Sequence, residues 1–153
     1  MSIKEKISSL GLSLPTAAAP VAAYVPAVKS GNLVFTAGQL PVVDGKLLKE
    51  GKVGSDVTAD EAKELAQLCA LNALAAISLV ADLDQIERVV RVGGFVNCAP
   101  GFTAIPGVVN GASEFLIKVF GDVNGKHART AVGVAELPLN APVEIELVVR
   151  LIV

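Results

Sequence analysis

Strict alternation marks the end of the chain. In PVEIELVVRLIV, Val143, Ile145, Leu147, Val149 and Leu151 alternate with Glu144, Glu146 and Arg150. That period of two predicts a β-strand over 143–152 with an apolar inner face and a polar outer one. The preceding HARTAVGVAELP predicts a strand over 128–134, with Arg129, Ala131, Gly133 and Ala135 on one side and Thr130, Val132 and Val134 on the other. Gln85 to Val96 alternates and then becomes apolar, as a buried strand does. Tyr24–Ser30 and Asn32–Thr36 flank Ser30-Gly31, a compact hairpin signal. The Gly- and Pro-punctuated stretch from Pro41 to Gly54 leaves at most one short edge strand, at Lys46–Leu48.

Two longer segments carry helical spacing. Thr58-Ala59-Asp60-Glu61 is a capping box, and the helix it opens is predicted to reach about Val80, with Leu65, Leu68, Cys69, Asn72, Ala76 and Leu79 on its 3.6-residue period. Pro106 suits the first turn of a second helix, whose apolar face is Val109, Ala112, Leu116, Val119 and Phe120 and whose end is Gly121. Ile3, Ile7 and Leu10 predict a short amphipathic helix stopped by Gly11, followed by the extended segment LSLPTAAAPVAA. The order is two or three strands, a helix, a strand, a second helix and two strands. This predicts a single α+β domain over 1–153, with 1–20 as an N-terminal extension and 21–153 as the core. Its mixed sheet carries both helices on one face. No element remains to cover the other face, so the pattern predicts association between copies.

Composition sharpens that picture. Hydrophobic residues make up 52% and charged ones 18% of the 153 residues, a balance more apolar than the globular average. The most apolar stretch, Leu65 to Leu83, is interrupted by Gln67, Asn72, Ser78 and Asp82, so the excess reads as subunit interface rather than membrane span. Lys4, Glu5 and Lys6 replace the apolar core of a signal peptide, and a cytoplasmic location is expected. A net charge of −2, scattered lysines and arginines and 4% aromatics argue against nucleic-acid binding. Cys69 and Cys98 stand in separate elements without a C-x-x-C, and His127 is the one histidine. Neither a disulfide framework nor a metal site is expected.

Arg129 is the leading candidate for chemistry. An arginine followed on its own face by Ala131 and Gly133 borders a depression with small walls, and guanidinium is shaped for bidentate binding of a carboxylate. Glu144 and Glu146 lie on an otherwise apolar strand and need partners or water. Ion pairing with Arg150 or Arg129 is the structural alternative to a catalytic role. His127 reads as the mouth of a cleft or as a solvated loop residue, Tyr24 as a pocket wall or a core aromatic, and Asn72 as a cap on a neighbouring backbone group.

The segments FTAGQLP (35–41), ARTAVGVAELP (128–138) and VEIELVV (143–149) together resemble the Rid family, also called YjgF-type or reactive-intermediate deaminases. The resemblance runs over roughly residues 20 to 153 and rests on three ordered motifs. It implies a chorismate-mutase-like fold, a homotrimer around a central β-barrel with helices outside, and active sites in the clefts between subunits. It further implies hydrolysis of 2-imino acids or enamines to 2-oxo acids and ammonia, without metal or organic cofactor. Carried over residue by residue, Arg129 matches the arginine that grips the substrate carboxylate and Glu144 the glutamate that orients water. Tyr24, Gly38 and Asn110 match substrate-binding positions, while Ala131 and Val132 line the pocket beside the arginine. The chain departs from the family pattern at Ala37 (serine), Ala131 (cysteine) and Gly133 (glutamate), and in a longer 98–110 loop. These departures imply a reshaped, roomier pocket. The competing expectations are a trimeric module that binds a carboxylate or 2-oxo acid without turnover, and an endoribonuclease. The acidic balance, the lone His127 and the lack of a basic stripe oppose the latter.

Overall fold

The computed structural model describes residues 1–20 and 23–153. In chain order the elements are α1 (Ile3–Ser9), β1 (Ala27–Ser30), β2 (Leu33–Thr36), β3 (Val42–Val43), β4 (Lys46–Leu47), α2 (Ala59–Ile77), β5 (Ile86–Asn97), α3 (Ile105–Asn124), β6 (Ala128–Val134) and β7 (Val143–Leu151). Five strands form one mixed sheet in the order β1-β2-β7-β5-β6, in which only β5 and β6 are parallel. Val143, Ile145, Leu147, Val149 and Leu151 are all buried, as their alternation predicts, with α2 packed on their strand and α3 on β5 and β6. No helix among the described residues is long and apolar enough to cross a membrane.

Local chemistry sets the helix ends. The Thr58 hydroxyl accepts from the Glu61 amide at 3.1 Å, while the Glu61 carboxylate accepts from the Thr58 amide at 2.8 Å, so the capping box is real. α2 stops at Ile77, short of Val80. There the Ser78 hydroxyl donates to Ala75 O at 2.6 Å and competes with the helical ladder, leaving Leu79 60% exposed beyond the end. In α3 the five expected face residues are buried. Gly121 does break the helix, with φ +84, but one further turn follows to Asn124.

One feature escaped the sequence pattern. Val42–Val43 pairs with Lys46–Leu47 in a small hairpin where one strand was expected, because Asp44 and Gly45 both take positive φ (50 and 78), as a type I′ turn requires. Asn72 ties this hairpin to α2, donating to Leu40 O and Val42 O at 3.0 Å each, which is the backbone-capping role expected of it. The third helix, α1, has its own capping box between Ser2 and Glu5. It buries Ile3 and Ile7 in the common core and donates from the Ile3 amide to the Asp84 carboxylate at 2.6 Å.

Among the described residues no helix covers the opposite face of the sheet. Val28 stands opposite Phe35, and Phe35 opposite Val148; Val28 and Phe35 are 51% and 44% exposed.

Among the glycines, the tightest approach is between α2 and α3. A Cβ placed on Gly111 would lie 1.8 Å from the Lys63 carbonyl oxygen, so the helices meet backbone to backbone. Gly107, on the same helix, faces open space. Gly111→Ala is expected to cost about 3 kcal/mol of unfolding free energy by overpacking, whereas Gly107→Ala is expected to gain about 0.5 kcal/mol from helix propensity. Urea denaturation of the two variants side by side checks the pair, and equal midpoints would contradict it.

Candidate functional site

The site is built on the crossover from β5 through α3 to β6. Arg129 is in register with Val92, which is in register with Leu147. Both neighbours are buried beneath the helices, so Arg129 lies on the helix side of the sheet, at its open edge. From there its Nη1 donates to Asn110 Oδ1 at 2.7 Å and to Ser113 Oγ at 3.2 Å, and its Nη2 donates to Pro106 O at 3.4 Å. Asn110 and Ser113 are three residues apart and share a helix face. All three partners are neutral, and among the described residues Arg129 belongs to no salt bridge. Guanidinium has five N–H donors, so donors remain for a ligand.

A second layer lies behind the arginine. Ser113 Oγ is 2.9 Å from His127 Nε2, and His127 Nδ1 is 2.6 Å from Gly125 O. A carbonyl can only accept, so Nδ1 carries the ring proton and Nε2 accepts from the serine hydroxyl. Burial holds the imidazole below its ordinary value, and the nearby Arg129 charge pushes the same way, although the bond to Gly125 O opposes both. Of the two expectations for His127, the cleft mouth is the one observed. Ser113, Ile117, Lys126, His127 and Arg129 line a shallow cleft of about 320 Å³. A larger hollow of about 430 Å³ lies elsewhere, between α1 and the start of β5, bordered by Lys6, Asp84, Glu87 and Phe120.

Ala131 and Gly133 continue the Arg129 face. The space a side chain at 133 would occupy is not free, since a Cβ there would lie 3.0 Å from Cys98 Sγ and 3.2 Å from Ile105 Cδ1. The depression expected from the small residues is therefore filled at this end.

Glu144 lies on the other face. It is in register with Phe95, and Phe95 with Val132. A Cβ on Gly38 would lie 2.0 Å from Glu144 Oε1, so the carboxylate rests on the bare backbone there, and glycine is what leaves it room. Burial, then the neighbouring Glu146 charge, raises the Glu144 carboxyl above its ordinary value. The ion pair expected between these glutamates and Arg150 does not form. Arg150 pairs with Glu87 at 2.6 Å, because Glu146 is four strand positions away, about 13 Å along an extended chain, and Glu144 is farther still. Tyr24 is half exposed on a bend before β1, not in the core.

The structure thus brings Asn110 to Arg129 and Gly38 to Glu144, and it places the two groups on opposite faces of one sheet. Ala131 belongs with the first and Val132 with the second. Ser113 was not singled out from the sequence. Its one signal was a hydroxyl three residues after Asn110, within a helix face that is otherwise apolar.

Residues 4–151 match the family described as "YjgF/chorismate mutase-like, putative endoribonuclease". The chain belongs to this family. Its chorismate-mutase-like α+β fold is the one seen here, with the two expected sheet-packed helices, α2 and α3, and the short N-terminal helix α1 beside them. Among YjgF-family relatives, Protein TCP17 of Trypanosoma cruzi is 41% identical over 150 residues, 97% of this chain and 94% of its own. A 2-iminobutanoate/2-iminopropanoate deaminase of Dermatophagoides farinae is 32% identical, over 90% of this chain and 93% of its own. The crystal structure of Atu1372 from Agrobacterium tumefaciens, a protein of unknown function, superimposes with a TM-score of 0.89 at 44% identity, covering 99% of this chain and 94% of that one.

The depressed imidazole has a consequence for stability. Between its folded value and the ordinary 6.5, the unfolded chain binds more protons at His127 than the folded chain does. Stability should therefore fall as pH is lowered from 6.5 through that window. Urea midpoints across it are expected to drop less in His127→Gln than in the wild type, and parallel profiles would contradict this.

Proposed function

We propose that this protein hydrolyses reactive 2-imino acids, or their enamine tautomers, to 2-oxo acids and ammonia. The observation that carries the reading is Arg129, a guanidinium braced by neutral groups alone and left with donors for a carboxylate. The deaminase relative supports the reaction type. Arg129 and Glu144 occupy opposite faces of one sheet, so a site using both needs two copies. A homotrimer with such clefts between subunits is the assembly we propose. The uncovered apolar residues Val28, Phe35 and Val132 support it. In this reading residues 1–153 act as one Rid-like domain, with 1–20 as an extension, and the protein works in the cytoplasm.

Arg129 holds the substrate carboxylate, a charge-assisted contact of about 1.5–3 kcal/mol. Glu144 orients a water molecule, which adds its oxygen across the C=N bond and leaves a hydroxyl and an amine on one carbon. Proton transfer to the amine lets ammonia leave as the C=O bond forms. A carboxyl raised toward neutrality is suited to passing that proton. Backbone groups near Val132 hold the nitrogen, while Tyr24, Gly38, Asn110 and Ala131 shape the pocket. Imine hydrolysis is quick without a catalyst, so positioning and modest proton transfer suffice, without a metal or organic cofactor.

A second reading, a trimeric module that binds a carboxylate or 2-oxo acid without turnover, is favoured by Ala37, Ala131 and Gly133, none of which brings a polar side chain. The test generates 2-aminoacrylate or 2-iminobutanoate with a pyridoxal-phosphate dehydratase and follows its decay. Decay is expected to accelerate with the wild type, and Arg129→Ala to lose about 10- to 150-fold in kcat/KM. Arg129→Lys should recover little, because the fork and not the charge alone is needed. No acceleration by an intact oligomer, together with a thermal shift on adding 2-oxobutanoate, would replace the enzyme with the binding module.

A further inference from the structure

Ser113 and His127 have no part in the reaction as derived, yet they form a closely determined polar construction around Arg129. The buried side of α3 is otherwise apolar, with Val109, Ala112, Leu116 and Val119 beside Ser113. Ser113 is itself only 9% exposed, and a hydroxyl there is unfavourable unless its hydrogen bonds are made. They are made in one direction only. Gly125 O accepts from His127 Nδ1 at 2.6 Å, which leaves the lone pair on Nε2. That lone pair takes the only proton of Ser113 at 2.9 Å. The serine oxygen is then left with lone pairs alone, and Arg129 Nη1 donates to it at 3.2 Å. Asn110 Oδ1 takes a proton from the same nitrogen at 2.7 Å. Nη1 is thereby saturated, while among the described residues the Nε proton and one on Nη2 have no partner. Those two atoms form the edge of guanidinium that binds a carboxylate side-on.

We infer that Ser113 and His127 are positioning residues, which orient the guanidinium of Arg129 so that its Nε–Nη2 edge is presented to a ligand carboxylate. The inference rests on the reading of Arg129 as the carboxylate-binding group. Neither residue touches the reacting atoms, so their effect belongs in ligand affinity and KM, with kcat preserved.

The test uses the full-length protein with 2-oxobutanoate as the probe, its Kd measured by calorimetry for wild type, Ser113→Ala, His127→Ala, the double variant and Arg129→Ala. Each single substitution at 113 or 127 is expected to weaken binding about tenfold, the effect of leaving a buried hydrogen-bonding group unpaired. The double variant should be little weaker than either single, since both act through one chain of bonds. His127→Gln, whose side-chain oxygen can accept from Ser113, should restore most of the affinity. Wild-type affinity in both singles, or losses that multiply in the double variant, would overturn the positioning role. Arg129→Ala separates the two readings. If it abolishes binding while the singles do not weaken it, only the positioning role fails; if it too binds like the wild type, the carboxylate reading fails with it. One measurement needs no variant. His127 is the only histidine in the chain, so its ring ¹⁵N resonances require no assignment. The neutral Nδ1–H tautomer at neutral pH is the expected state, and an Nε2–H or doubly protonated ring would overturn the inference.

Discussion

The parallel pairing of β5 with β6 is the constraint on which the site depends. Parallel neighbours cannot be joined by a tight turn, so the chain must cross over, and α3 is that crossover. The crossover helix lies over the strands it joins, and Gly94 lets Val109 of α3 sit against β5. In this register Arg129 falls opposite Val92 and beneath α3. A slip of one residue would bring Thr130 to the helix and send Arg129 to the opposite face. The arginine is thus positioned by long-range packing, and its partners Pro106, Asn110 and Ser113 come from the element that makes the pairing possible.

This explains why the fold was easier to read from sequence than the site. Alternation in β7 and the spacing of Val109, Ala112, Leu116, Val119 and Phe120 both follow from burial on one side, which leaves a periodic trace. Alternation in β6 separated Arg129, Ala131 and Gly133 from Thr130, Val132 and Val134, but it could not say which set meets the helices. Apolarity alone would choose the valines, yet Val132 is 39% exposed. The pairing of Arg150 with Glu87 was hidden for a similar reason. It depends on where β5 lies after its register shifts near Ile86 and Val89, and no local spacing reports that. The hairpin at Asp44-Gly45 did leave a local signal, in the turn dipeptide itself. Ser113 left almost none, because one hydroxyl on a helix acquires meaning only when an imidazole from elsewhere faces it.

Two glycines beside the candidate groups have different meanings in the structure. Gly133 is a packing solution, its missing side chain replaced by the sulfur of Cys98 and the end of Ile105. Gly38 is a resting place for the Glu144 carboxylate. The groups around Arg129 are all hydrogen-bond acceptors without charge, so its positive charge is left uncancelled for an anion to meet. Glu144 and Glu146 lie on the other face of the sheet, and among the described residues no carboxylate pairs with the arginine ahead of a ligand.

The meeting of Gly111 with the Lys63 carbonyl also bears on motion. Two helices in contact through their backbones cannot slide by repacking side chains, so α2 and α3 behave as one slab. The wall that carries Asn110 and Ser113 is therefore stiff, and the freer border of the cleft is the edge strand β6 with the long side chain of Lys126. Exposed side chains reorient on the picosecond-to-nanosecond scale, far faster than helices displace. The shape of the cleft is thus set by packing on one side and by side-chain rotamers on the other.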